Sequence, residues 1–207
     1  MFAKIENFIS TIIGKINWTV PVYETLRHHE VDEIRQKLKD NYYIILSRHS
    51  GHLSTYAIAF AHLVLTGKWG YYGHAFLNVE NEVKTDSDYK FMEATGKGVH
   101  YSDWAEAFDS QTGSVALLKP KSMSIEHWTA VMDKARTELG KPYDTLFDLT
   151  NDRALSCVEL VRAALQAEPN YASDFANFEA MIAKNRNLDP QMFMECADFE
   201  VVYEVRH

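Results

Sequence analysis

Residues 155–161 constrain this chain more tightly than any other stretch. Ser156 suits a helix N-cap, and Glu159 three residues on completes a capping box. Leu155 before the cap and Leu160 after it suit a hydrophobic staple. Val158, Val161, Ala164 and Leu165 continue one apolar face at helical spacing. A helix must therefore begin here, with Cys157 in its first turn. Free N–H groups and the positive end of the helix dipole favour a thiolate at that place. The ordinary alternative is a cysteine packed as a small hydrophobe, the commoner fate of a free thiol. The local sequence leaves both open.

The helix sits in a chain of 207 residues, long enough for one domain with an added segment. Hydrophobic residues at 46% supply a core, and a formal charge of -8 argues against non-specific nucleic-acid binding. Cys157 and Cys196 are the two cysteines, so neither a disulfide framework nor a Cys-x-x-Cys zinc pattern is present. No apolar run is long enough to span a bilayer. Residues 1–16 carry Ile5, Phe8, Ile9, Ile12, Ile13 and Ile16 at helical spacing, interrupted by Lys4, Glu6 and Lys15. They read as a helix packed on the core, or else as a peripheral membrane or protein contact, and not as a signal peptide. The expected location is cytoplasmic, or one reached without a signal peptide, as for a phage or virion protein.

Along the chain, 30–39 reads as a helix, 42–46 as a strand and 54–66 as an apolar helix closed by Gly67. Strands follow at 74–79 and 90–94, separated by a polar, turn-like stretch at 81–88. Gly96 and Gly98 read as the next turn, and 104–108 as a helical turn. A strand at 114–119 precedes a helix over 124–139, with Ser124 as cap, Ile125, Trp128, Val131, Met132 and Ala135 on one face, and Gly140 at its end. Residues 143–149 read as irregular, 174–184 as helical and 198–205 as a closing strand. The pattern predicts an α+β fold, an antiparallel sheet packed by helices.

A thiolate nucleophile needs an imidazole, and the imidazole needs an orienting group. With nine histidines in the chain, position must choose among them. His74 opens a strand behind Gly70 and Gly73. Glu93 lies on the next strand, where a carboxylate can fix the ring's tautomer. The same residues can equally be a strand-end histidine and a solvated surface charge.

Four pieces then occur in a fixed order: Gly73-His74-Ala75-Phe76, Met92-Glu93-Ala94-Thr95 with Gly98-Val99, Tyr143-Asp144, and Ser156-Cys157-Val158-Glu159-Leu160-Val161. This order resembles the circularly permuted papain-like hydrolases of the NlpC/P60 superfamily, in particular the YiiX/YebB-like group, in which the histidine strand precedes the cysteine helix. The likeness covers roughly 42–205 and includes Leu188-Asp189-Pro190. It implies an antiparallel sheet packed by helices with the nucleophile at a helix N-terminus. It divides the chain into an N-terminal helical extension, 1–40, and a hydrolase domain, 41–207. It implies Cys157 as nucleophile, His74 as base, Glu93 as orienting residue and Tyr143 near the oxyanion, with no metal or organic cofactor. Departures lie at Val158, where the family commonly has serine, and at Ala75-Phe76-Leu77, where it commonly has Val-Gly-Ile; they bear on substrate preference.

The implied activity is a thiol hydrolase cleaving an amide through an acyl-enzyme. The substrate is a peptide or a peptidoglycan stem-peptide fragment. A lipid acyltransferase or thioesterase acting on an acyl-lipid through the same triad is the alternative, as is a non-catalytic binding module. Trp69 and Tyr72 are candidate walls of a substrate cleft, though packing at the strand entry would explain them as well. His49 and His52 could suggest a metal pair, but no further ligand follows at suitable spacing. Cys196, among Met192, Phe193 and Met194, reads as core.

Overall fold

The computed structural model describes residues 24–39, 41–50, 53–80, 85, 88–145, 147–185 and 187–207. The helix expected at 1–16, the loop at 18–23, Gly51, His52 and most of the turn at 81–88 lie outside the described residues. Six strands, β1 (Ile44–His49), β2 (His74–Asn78), β3 (Phe91–Thr95), β4 (Gly98–Ser102), β5 (Thr112–Pro120) and β6 (Phe199–Val205), form one sheet in the order β4-β3-β2-β1-β5-β6. Every pairing is antiparallel.

The central strand β1 is a run of apolar residues because both of its faces are covered. Ile44 and Leu46 face one core with Ala75, Leu77, Met92, Ala116 and Leu118. Ile45 faces the other with Phe76, Phe91, Val115 and Leu117. Over the first face lie α4 (Ile125–Thr137), through Trp128, Val131, Met132 and Ala135, and α5 (Cys157–Leu165), through Val158, Leu160, Val161, Ala164 and Leu165. Over the second lie α1 (His28–Leu38), with Ile34 and Leu38 fully buried, and the short α3 (Trp104–Ala107). Each such side chain contributes roughly 1.5–3 kcal/mol by leaving water. The remaining helices are α2 (Leu53–Thr66), α6 (Tyr171–Asp174), α7 (Ala176–Asn185) and α8 (Pro190–Glu195).

One expectation needs correcting, and one helix was not foreseen. Gly98 does not belong to a turn; it opens β4, a strand with buried Val99 and Ser102. The hairpin is tight because Gly98 takes φ 86°, and a Cβ there would stand 2.5 Å from the carbonyl oxygen of Lys141, so only glycine fits. Residues 190–195 form a helix started by Asp189, whose side chain accepts from Gln191 N, with Pro190 in the first turn.

Candidate active site

The capping box at α5 is present as the sequence requires. Ser156 Oγ accepts from Glu159 N, and Glu159 Oε2 accepts from Ser156 N at 2.7 Å. Cys157 is the first residue of the helix. It is 2% exposed and belongs to the core of the first sheet face, not to an open helix end as expected. The segment leading into α5 is held from two sides. Val99 N donates to Lys141 O and Gly140 N to Val99 O, which ties it to β4. Leu155 N donates to Pro142 O, which ties it to the helix start. Tyr143 follows directly and stands within electrostatic reach of Cys157. Burial, and then the charge a Cys157 thiolate would carry, raise the Tyr143 phenol well above its ordinary range, so it stays a donor.

His74 lies at the entry of β2, opposite Ser47. Continuing the β2–β3 register, in which Leu77 faces Met92, sets His74 opposite Thr95, so Glu93 is its diagonal neighbour on the same face. His74 Nε2 donates to Glu93 Oε2 at 2.7 Å. Cys157 stands within electrostatic reach of the imidazole on its other side. Burial alone would push the His74 pKa down, but interaction with Cys157 and Glu93 overcomes it and raises it to about 10. For Glu93, burial acts upward, and the His74 hydrogen bond and charge bring it down to about 2. The His74 ring stacks on Phe76 at 5.4 Å, which fixes its plane. Its side chain retains 19% exposure, so the cluster touches solvent on the histidine side.

The other sequence candidates fall elsewhere. Tyr72 has no exposed surface, donates to Glu204 Oε1 at 2.6 Å and stacks edge-on against Tyr71; it is a packed core tyrosine, not an open cleft wall. Trp69 is half exposed and meets Phe60 edge-on. His49 faces Ser47 Oγ and Asp109 Oδ1, both at 3.2 Å. Cys196 is buried, and burial pushes its thiol up to about 11. Sequence reasoning missed His100 and Glu106. His100 is the cross-strand partner of Glu93, and Glu106 lies in α3. The alternation of Val99, His100 and Tyr101 was the available signal, and reading Gly98 as a turn residue hid it.

Residues 44–203 match a model of the permuted papain-like amidase enzymes, the YaeF/YiiX, C92 family. The fold also matches a crystal structure titled metalloprotein yiiX from Escherichia coli O157:H7, with TM-score 0.59 and 18% identity, covering 82% of this chain and 99% of that one. At that identity the likeness speaks for the fold. No relative among curated proteins matches this chain. Among the described residues, no helix is long and apolar enough to cross a membrane.

Proposed function

This chain belongs to the permuted papain-like amidases of the YaeF/YiiX, C92 family, and from that premise we propose that it hydrolyses an amide through Cys157, His74 and Glu93. The observation that carries the reading is the His74–Glu93 hydrogen bond at 2.7 Å, with Cys157 at the start of its helix within electrostatic reach of the same imidazole. Cys157 Sγ attacks the carbonyl carbon as a thiolate. The negative charge moves to the carbonyl oxygen, which in this reading the Cys157 N–H at the helix start and the Tyr143 hydroxyl receive. Each such donor is worth roughly 10²–10³ in rate. His74 gives its proton to the departing amine, leaving an acyl-thioester. It then takes a proton from water, which attacks the thioester and releases the acid and the thiol. Glu93 keeps the ring oriented and offsets the imidazolium charge. Because Cys157 is covered, the acyl donor arrives from the side on which His74 is exposed.

The acyl donor in this reading is a peptide-type amide. Peptidoglycan stem peptides are the class implied by the resemblance to NlpC/P60 hydrolases. The hydrolase domain in this reading is 41–207, supported by a family match that begins at residue 44. The test is covalent labelling by a thiol-reactive acyl analogue, with amine release from a panel of muropeptides, simple peptide amides and acyl-lipids. Labelling and release are expected in the unaltered chain and lost in both Cys157→Ala and His74→Ala. Unchanged labelling in either variant overturns the proposal, and turnover confined to acyl-lipids replaces the substrate class.

A further inference from the structure

Glu93 has two carboxylate oxygens, and the reaction uses one. Oε2 meets His74; Oε1 is buried without a hydrogen-bond partner on a side chain only 5% exposed. An orphaned buried oxygen of this kind is costly. It faces His100 Nε2 at 3.8 Å, and the same nitrogen faces Glu106 Oε1 at 3.3 Å. Ligand atoms of the three residues all lie within 4.8 Å of one another. The Ser102 hydroxyl is close enough to help lower the Glu93 pKa but completes no hydrogen bond.

The tautomer of His100 sharpens the point. Its Nδ1 lies 2.9 Å from the carbonyl oxygen of Gly98, which can only accept, so Nδ1 carries a proton and donates. In the neutral ring, Nε2 then presents a lone pair toward two carboxylate oxygens. In that tautomer three acceptors face one gap that a cation would fill, whereas in the doubly protonated ring Nε2 donates to Glu106 Oε1. Two ligand atoms each ~2.1 Å from a tetrahedral zinc stand ~3.4 Å apart, and the edges from Nε2 are 3.3 and 3.8 Å. One nitrogen and two oxygens suit a borderline cation, and a backbone carbonyl on the distal histidine nitrogen is the usual outer partner of such a ligand. Local structure supplies the set. Glu93 and His100 pair directly across β3 and β4, and Glu106 is held by its backbone N–H on the Asp103 cap.

We propose that Glu93, His100 and Glu106 bind one divalent cation of the zinc class. Lys97 is the built-in competitor. Its ammonium contacts Glu106 from outside, on a side chain 69% exposed that can swing into water. The site shares Glu93 with the reaction centre but does not depend on the amidase reading, since binding is measurable where no turnover occurs.

The test uses the full chain carrying Cys157→Ala, which removes a competing thiolate, after treatment with a chelator. Titration with Co2+ follows the visible absorption of the bound ion, and Zn2+ calorimetry gives the stoichiometry. One equivalent is expected. His100→Ala and Glu106→Gln should each weaken it by more than ~100-fold, since even outer partners of metal ligands are worth ~10–100-fold. Lys97→Ala should tighten it a few-fold. Circular dichroism confirms the fold of each variant, and the chain with Glu93, His100 and Glu106 intact suffices to refute the site. No saturable binding, or binding that survives His100→Ala, overturns the proposal and leaves a protonated His100 as the charge in the gap.

Discussion

His74 with Glu93 and His62 with Asp189 are histidine–carboxylate pairs in different parts of this molecule. His74 meets Glu93 at 2.7 Å, and His62 in α2 donates from Nδ1 to Asp189 Oδ2 at 2.9 Å. In both, the carboxylate raises the imidazole pKa against burial. Their second ring nitrogens differ. His74 has the Cys157 thiol beside it and 19% of its side chain in contact with solvent. His62 is 1% exposed, its Nε2 has no hydrogen-bond partner, and the nearest carboxylate is Glu195 at 3.7 Å. Asp189 also starts α8 and accepts from Asn187. One pair thus joins α2 to α8, and in the proposed reaction the other passes a proton between a sulfur and a substrate. A histidine on a carboxylate is not by itself a reactive site; its other nitrogen and its access to solvent decide.

The comparison breaks first under truncation. Cys157→Ala and His74→Ala should each lower amide turnover by roughly 10⁴-fold or more per folded molecule, and Cys157→Ala should leave the urea-unfolding midpoint nearly unmoved, as steady-state assays and denaturation will read. Asp189→Ala should do the reverse. Breaking a buried pair and removing a helix cap costs about 3–5 kcal/mol, visible as a lower unfolding midpoint, while kcat per folded molecule holds. If Asp189→Ala abolished turnover at full stability, the two pairs would not differ as described.

Smaller effects sharpen the contrast. Glu93→Gln keeps the shape and loses the charge, so kcat should fall about 10–100-fold, less than for the thiol; an equal loss would make Glu93 more than an orienting group. The smallest effect is the pH dependence of stability at His62, which faces Asp189, Glu195 and Lys68. Its folded pKa is raised above the ordinary 6.5, so the protonated ring's contribution is complete below that pH. It fades as pH climbs through the raised value, by up to ~1.4 kcal/mol per pH unit. Unfolding free energies of the unaltered chain and His62→Gln, measured across that range, should converge toward high pH. A gap that widens would reverse the sign.

What could be read in the residues was whatever short-range physics decides. Ser156 and Glu159 cap their own helix, so the placement of Cys157 at its first turn needed nothing distant. The apolar runs at 42–46 and 114–119 and the stripe from Trp128 to Ala135 announced strands and a helix by periodicity alone. The order of motifs around His74, Glu93, Tyr143 and Cys157 carried the family likeness, which the match over 44–203 bears out. Tertiary structure decided the rest. The β3–β4 register sets His100 against Glu93, and α3 brings Glu106 to both. The packing of one sheet face buries a cysteine that local reasoning left open. Tyr72 was turned inward to Glu204, 132 positions away. Capping and periodicity act over three or four residues, whereas register, burial and the meeting of distant side chains depend on which strands lie side by side, and no single stretch of the chain contains that information.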